Sequence, residues 1–175
     1  LSLASHASAE ICAGAGFDWV LIDMEHAPSD LPQVHQQLHA AAAYPVSILV
    51  RAPWNDQVRI KQILDAGAEG IVSPMVKTVA EAKAFVAACR YPPVGTRGFG
   101  PRRASGYGRN IDKYMEQAND AIFCIPQIED WRTAEIIEEI ANDDVPPPPP
   151  PTIEAPPPYV PPPDIVIDLP VDAPV

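Results

Sequence analysis

Residues 17–26 read FDWVLIDMEH, an apolar run that ends in charged residues. The same order returns in VSILVR at residues 46–51, GIVSPMVK at 70–77 and AIFCIPQIE at 121–129. Short and nearly continuous apolar runs are typical of parallel strands buried on both faces. We therefore predict strands over residues 17–24, 46–51, 70–76 and 121–129.

Helical patterns alternate with these strands. Between residues 56 and 66, apolar residues recur at helical spacing, and we expect the following to be buried: Val58, Ile60, Ile63 and Leu64. Thr78 stands where it can cap the next helix, with Glu81 at the capping-box position. The predicted helices cover residues 5–14, 29–42, 56–66, 78–89, 111–118 and 131–141, with a Gly-, Pro- and Arg-rich loop over 91–110.

Alternation of strands and helices indicates a parallel sheet covered by helices, either an open doubly wound sheet or a barrel. No GxGxxG or GxxxxGK[ST] motif occurs, so we expect no nucleotide cofactor. Polar residues follow all four predicted strands, which favours the ring of strand ends in a (β/α) TIM-type barrel. A full barrel needs about 200 residues or more. We therefore expect an incomplete barrel over residues 1–142, roughly the first five βα units.

Residues 143–175 differ sharply in composition. The last 30 residues hold 14 of the chain's 23 prolines, and residues 143–175 carry six acids and no base. Proline lacks a backbone donor and fixes φ, so this composition favours extended polyproline II over strands. We expect a Pro-rich acidic tail that is disordered or extended, with an SH3- or WW-type ligand as the alternative.

Charge and cysteine content exclude several classes of partner. The net charge is −11, leaving residues 1–142 at −5 without a basic stripe, which argues against nucleic acid and anionic membranes. No apolar run reaches the length of a membrane span. The three cysteines are odd in number and lie in apolar segments, so we expect buried free thiols and a cytoplasmic location.

Several short motifs follow one another along the first 140 residues, and together they resemble the HpcH/HpaI family of metal-dependent class II pyruvate aldolases. The motifs are DMEHAP (23–28), VR (50–51), IKQILDAG (60–67), PMV (74–76), RYPPVGTRG (90–98) and QIE (127–129). The resemblance implies a (β/α)8 barrel, a homohexamer and a small 2-oxo acid substrate. The implied reaction cleaves a 2-oxo-4-hydroxy acid, of the 4-hydroxy-2-oxoheptanedioate or 2-dehydro-3-deoxyglucarate type, to pyruvate or a relative plus an aldehyde.

The resemblance also implies roles for five residues. His26 matches the family's base, Asp65 the carboxylate that orients this histidine, and Arg51 the arginine that holds the keto oxygen. Gln127 matches a substrate-binding amide and Glu129 a ligand of a divalent metal such as Mg²⁺, Mn²⁺ or Co²⁺. The family's second metal ligand, an aspartate in a Gly-Pro-Ala-Asp-like turn, has no counterpart in this sequence.

The residues alone leave other interpretations open. Arg51 could instead pair with Asp23 or Glu25, whereas Asp65 and Glu129 could be ordinary polar residues at the end of a helix and of a strand. The arginines of the 90–109 stretch could attract a dicarboxylate or form a solvated loop or a subunit contact. His35 and His39 have i,i+4 spacing without the glutamate of an HExxH site, which favours a solvent-facing pair.

Two competing functions follow. Lys77 comes after a predicted strand, where it could form a Schiff base with a keto acid. The chain could also be a catalytically inactive barrel fragment, or an interaction module with a Pro-rich tail.

Overall fold

The computed structural model describes residues 1–142. The predictions for residues 143–175 lie outside the described residues. The elements in chain order are α1 (His6–Ala13), β1 (Trp19–Asp23), α2 (Leu31–Ala41), β2 (Ser47–Arg51), α3 (Gln57–Asp65), β3 (Gly70–Ser73), α4 (Val79–Cys89), α5 (Ile111–Ala121), β4 (Phe123–Pro126), a 3₁₀ helix (Trp131–Ile136) and α6 (Ile137–Asn142).

The four strands form one parallel sheet in the order β1-β2-β3-β4. The prediction of an α/β fold with a parallel sheet is therefore confirmed. A doubly wound sheet reverses its strand order at a switch point, whereas here each strand adds to the same side of the previous one. Neighbouring strands of a (β/α) barrel also follow one another in sequential order.

The strands end at residues that interrupt backbone pairing. Pro74 follows β3 and Pro126 closes β4, and proline has no N–H to donate to a neighbouring strand. Both strands are therefore shorter than predicted. The final predicted helix is instead a 3₁₀ helix followed by α6, and Asp130 caps it by accepting a hydrogen bond from the Arg132 N–H at 3.0 Å.

The outer edge of β1 is not free. The Leu1 ammonium donates to the Leu21 carbonyl, and the Asp23 N–H donates to the Leu1 carbonyl at 3.4 Å. Leu1 thus extends the sheet by a short contact beside β1.

One face of the sheet packs against the helices and forms the core. Burial of one such large apolar side chain stabilises the fold by about 1.5–3 kcal/mol. The largest buried apolar side chains on the strands and helices are Ile22, Val34, Val50, Ile60, Ile63, Leu64, Ile71 and Phe85. Val58, also predicted to be buried, is 52% exposed, because it lies on the opposite face of α3 from Ile60 and Ile63.

The capping predictions are partly confirmed. The Thr78 hydroxyl accepts a hydrogen bond from the Glu81 N–H at 3.1 Å, as expected of an N-cap. The Glu81 carboxylate reaches past the cap and accepts from the Lys77 N–H at 2.7 Å. In α2 the cap is Asp30, and Gln33 completes a capping box with it.

The other face of the sheet forms an open apolar trough of about 570 Å³. It is lined mainly by the alternate strand residues that point away from the helices: Trp19, Leu21, Leu49, Val72, Phe123 and Ile125. In a complete barrel this face is the packed interior. The residues that follow on the same face at the carboxyl ends of the strands are Asp23, Arg51 and Gln127.

All three cysteines are free, as predicted. Cys89 is buried, but Cys12 and Cys124 are only half-buried, so the expectation of full burial is wrong for these two. None of the helices within residues 1–142 is long and apolar enough to cross a membrane.

Candidate active site

The carboxyl ends of β1 and β2 bring Asp23 and Arg51 together as cross-strand partners. Arg51 donates from Nε to Asp23 Oδ1 at 3.0 Å and from Nη2 to Asp23 Oδ2 at 2.6 Å. The pair is bidentate, which fixes the plane of the guanidinium as well as its position. Hydrogen bonding from Arg51 lowers the pKa of Asp23 to about 2, and the same bond raises the pKa of Arg51.

Glu25 contacts both Arg51 and His26. Its Oε2 lies 3.3 Å from Arg51 Nη1, and its Oε1 lies 3.6 Å from His26 Nε2. The His26 side chain is 69% exposed, so a substrate can reach the imidazole, whereas Glu25 is largely covered. A carboxylate beside an imidazole can hold the ring in one orientation.

The pairing of Arg51 with acidic neighbours, left open in the sequence, is therefore confirmed, and it involves both Asp23 and Glu25. Neither Asp23 nor Glu25 is among the five residues to which the resemblance gives roles. Their positions in the sequence could have identified them as site residues, because Asp23 ends a strand and Glu25 follows it by two residues.

Gln127 and Glu129 follow β4 and reach the same mouth. Glu129 accepts hydrogen bonds from the Met75 N–H at 2.9 Å and from Gln127 Nε2 at 2.8 Å. Met75 has φ of 55°, a left-handed conformation that is uncommon outside glycine, and the Glu129 carboxylate holds its N–H there. The Gln127 Oε1 atom is buried without a hydrogen-bond partner.

A divalent metal ion fits the charge and chemistry of this mouth. Asp23, Glu25 and Glu129 all raise the pKa of Arg51, and their three negative charges exceed the one charge of the guanidinium by two. Carboxylate and amide oxygens, such as those of Glu129 and Gln127, are donors that hard divalent cations prefer. Within residues 1–142, however, no group of three His, Cys, Asp or Glu side chains forms a ready-made ligand set.

Asp65 lies elsewhere. It ends α3, which returns from the carboxyl end of β2 towards the amino-terminal end of β3, and it accepts a 2.7 Å hydrogen bond from Arg97 Nη2. The Arg97 side chain is completely buried and stacks on the Tyr91 ring, 4.5 Å from its centroid. The topology thus separates Asp65 from His26 within one chain, and Asp65 pairs with Arg97.

Three of the five arginines in the 90–109 stretch donate hydrogen bonds to residues outside the stretch. Arg97 pairs with Asp65, Arg90 donates to the Ile122 carbonyl at 3.0 Å, and Arg103 donates to the carbonyls of Ala66 and Leu38 at 3.0 and 2.8 Å. These three side chains hold the 90–109 stretch against the helices and strands next to it. The remaining members, Arg102 and Arg109, are exposed.

The other basic residues considered in the sequence lie outside the group formed by Asp23, Glu25, His26 and Arg51. His35 and His39 stack edge to face with centroids 4.3 Å apart, and His39 contacts the Tyr107 hydroxyl at 3.3 Å. Lys77 is half-buried just before α4, and its carbonyl accepts a hydrogen bond from the Thr133 hydroxyl at 3.3 Å.

Known proteins resemble this chain in both sequence and fold. Residues 1–147 match the family described as HpcH/HpaI aldolase/citrate lyase. Curated relatives named 4-hydroxy-2-oxo-heptane-1,7-dioate aldolase include one from Salmonella dublin, 51% identical over 144 residues (81% of this chain and 53% of the relative), and one from Klebsiella pneumoniae, 49% identical over 146 residues (82% and 55%). The chain spans about half the length of these relatives.

Solved structures give the same result. An HpcH/HpaI aldolase/citrate lyase family protein from Burkholderia cenocepacia has a TM-score of 0.77 and 40% identity, with 81% of this chain and 57% of that chain covered. Macrophomate synthase has a TM-score of 0.69 and 31% identity, with 80% and 50% covered. The match over residues 1–147 and the curated relatives confirm the resemblance found in the sequence: the chain belongs to the HpcH/HpaI aldolase/citrate lyase family.

Proposed function

We propose that this chain contributes to a divalent-metal-dependent retro-aldol cleavage of a 2-oxo-4-hydroxy acid to pyruvate, or a pyruvate relative, and an aldehyde. The substrate type is 4-hydroxy-2-oxoheptanedioate or 2-dehydro-3-deoxyglucarate. The observation that carries the proposal is the Arg51 guanidinium, held by carboxylates at the strand ends and close to an exposed histidine. A catalytically inactive fragment, or an interaction module with a Pro-rich tail, is the alternative that the experiments below exclude or support.

The four strands are proposed to form part of a (β/α) barrel, with a domain over residues 1–142 and a separate tail over residues 143–175. The sequential strand order and the helix-covered outer face support the barrel. We also propose a cytoplasmic protein that acts on a small molecule rather than on nucleic acid or membranes, and that assembles as the family's homohexamer.

Arg51 is proposed to bind the keto oxygen of the substrate. When the carbon–carbon bond breaks, the electron pair moves into the 2-oxo acid half and forms an enolate, whose charge lies on this oxygen. A guanidinium that is already fixed in place stabilises such charge without reorganising during the reaction. Its bidentate bond to Asp23 supplies that fixed orientation.

His26 is proposed as the base that removes the proton from the 4-hydroxyl group. Histidine is the side chain that most often serves as a general base in enzymes. The exposure of the side chain and its contact with Glu25 suit this role. Gln127 is proposed to bind the substrate through its amide.

The metal ion, Mg²⁺, Mn²⁺ or Co²⁺, is proposed to bind at Glu129, with the unpartnered Oε1 of Gln127 next to it. When bound, such an ion would hold the oxygens of the 2-oxo acid and offset negative charge at the mouth.

Asp65 is proposed to orient His26 only across two copies of the chain. The topology separates the two residues within one chain, and Arg97 holds the carboxylate at the end of α3. A dyad between them therefore needs His26 from one copy and Asp65 from another.

His26→Ala should lower the rate of pyruvate release by at least about 10²-fold, because general-base catalysis contributes on this order. A lactate dehydrogenase-coupled assay measures the release. His6→Ala is the matched control, since His6 is exposed at the start of α1 and should leave the rate unchanged. Equal rates for His26→Ala and the unmodified chain would contradict the assigned base.

Chelation should abolish pyruvate release, and added Mn²⁺ or Mg²⁺ should restore it. Glu129→Gln should weaken Mn²⁺ binding at least tenfold in isothermal titration, because it removes the anionic ligand. Glu116→Gln, at an exposed position of α5, is the control. Chelator-resistant turnover, with pyruvate trapped on Lys77 by borohydride, would instead support the Schiff-base mechanism.

Co-expressed His26→Ala and Asp65→Asn chains should regain about a quarter of the unmodified activity, because random pairing leaves one interface site in four intact. Each variant alone should be inactive. Asn keeps a hydrogen-bond acceptor for Arg97 and so preserves the local fold. A co-expressed mixture as inactive as the separate variants would contradict a dyad shared between copies.

A further inference from the structure

Asp23 makes more contacts than an ion pair requires. Its Oδ2 accepts from Arg51 Nη2 at 2.6 Å. Its Oδ1 accepts three times: from Arg51 Nε at 3.0 Å, from the Glu25 N–H at 2.9 Å and from the His26 N–H at 3.2 Å. One carboxylate therefore holds the guanidinium and the backbone turn that carries the imidazole.

The setting of Asp23 makes these contacts persistent. The residue is 7% exposed and ends β1, so its backbone is fixed by the sheet. Charge-assisted hydrogen bonds are shorter and stronger than neutral ones, and partial burial protects them from competition with water. An acceptor that is shared between Arg51 and the His26 turn makes the position of each depend on the other.

We propose that Asp23 is a positioning residue that sets Arg51 and His26 at a fixed separation, so that both groups reach one bound 2-oxo-4-hydroxy acid. The inference rests on the proposed function and adds a residue to its machinery. Misplacement of reacting groups by about 1 Å can cost 10²-fold in rate, so the constraint has a measurable consequence.

The charge state of the carboxylate agrees with a permanent tether. The pKa of Asp23 is lowered to about 2, first by the hydrogen bond from Arg51, so Asp23 stays ionised throughout the neutral range. The groups that face it are Arg51 from β2 and the Glu25–His26 turn from its own strand end. Its folded-state pKa lies below the ordinary value, so the stability that the tether adds is present above about pH 4 and is lost as the pH falls towards 2.

Two substitutions separate the parts of the tether. Asp23→Asn keeps the oxygen that accepts from Arg51 Nε and from the two backbone N–H groups but places an NH₂ against Arg51 Nη2, so it breaks the bidentate hold on Arg51 and leaves the turn held. Asp23→Ala releases both the guanidinium and the turn. Asp30→Asn is the matched control, because Asp30 also joins an arginine, Arg59 at 3.3 Å, to a backbone N–H, that of Leu31 at 2.8 Å, at an exposed site.

The test combines steady-state kinetics with NMR of the full chain. We expect kcat to fall about 10²-fold in Asp23→Asn and at least tenfold further in Asp23→Ala, with KM changed less than threefold and Asp30→Asn unaffected. The His26 amide should exchange with solvent at least tenfold faster in Asp23→Ala but not in Asp23→Asn, whereas the Arg51 Nη2 protons should exchange faster in both variants and the Nε–H signal should be lost only in Asp23→Ala.

If the ion pair has only a structural role, the Asp23 variants will have a lower melting temperature but an unchanged kcat. That result would overturn the proposal. Unchanged exchange of the His26 amide in Asp23→Ala would overturn it as well. If the unmodified chain releases no pyruvate, the proposed function fails, but the amide and guanidinium signals still decide whether one carboxylate holds both groups.

Discussion

The ion pair between Asp23 and Arg51 is the constraint on which the mouth of this fold depends. The parallel register of β1 and β2 makes the two residues direct neighbours at the strand ends. A partly buried guanidinium is costly unless its N–H groups are satisfied, and here carboxylates take the charge on two sides. Glu25 and Glu129 then lie around a cation whose place is already determined.

The order of the sheet explains why polar groups collect at one end. Parallel strands in sequential order all end at the same edge, so the residues after β1, β2 and β4 meet there without long connections. Below that edge the same face of the sheet is apolar, from Trp19 to Ile125. The fold therefore separates an apolar trough from a charged rim.

Much of the fold could be predicted from the sequence because strand and helix periods are local properties. The four strands and the helices between them follow from apolar spacing and caps such as Thr78. Val58 shows the limit, because a helical pattern does not fix where the apolar stripe ends. The hydrogen bonds of Arg90, Arg97 and Arg103 could not be predicted, since their partners lie far away along the chain.

The candidate site, too, could be predicted from the sequence only in part. Arg51, Gln127 and Glu129 could be placed at one edge of the sheet, because Arg51 ends β2 and the other two follow β4. Asp65 was assigned from resemblance, which does not say from which copy a side chain comes. The shared acceptor role of Asp23 depends on hydrogen-bond geometry in a turn, and no residue pattern displays it.

If Arg51 stabilises the enolate of a bound 2-oxo acid, as we propose, the chain should catalyse the enolisation of pyruvate. In D₂O with Mg²⁺, the methyl protons of pyruvate exchange for deuterium only when an enolate forms, and ¹H NMR follows their loss. We expect exchange with the unmodified chain and at least a tenfold slower rate for Arg51→Lys, which keeps the positive charge but loses the planar, two-pronged donor group of the guanidinium. Equal exchange rates for the two chains, or no exchange with either, would contradict this proposal.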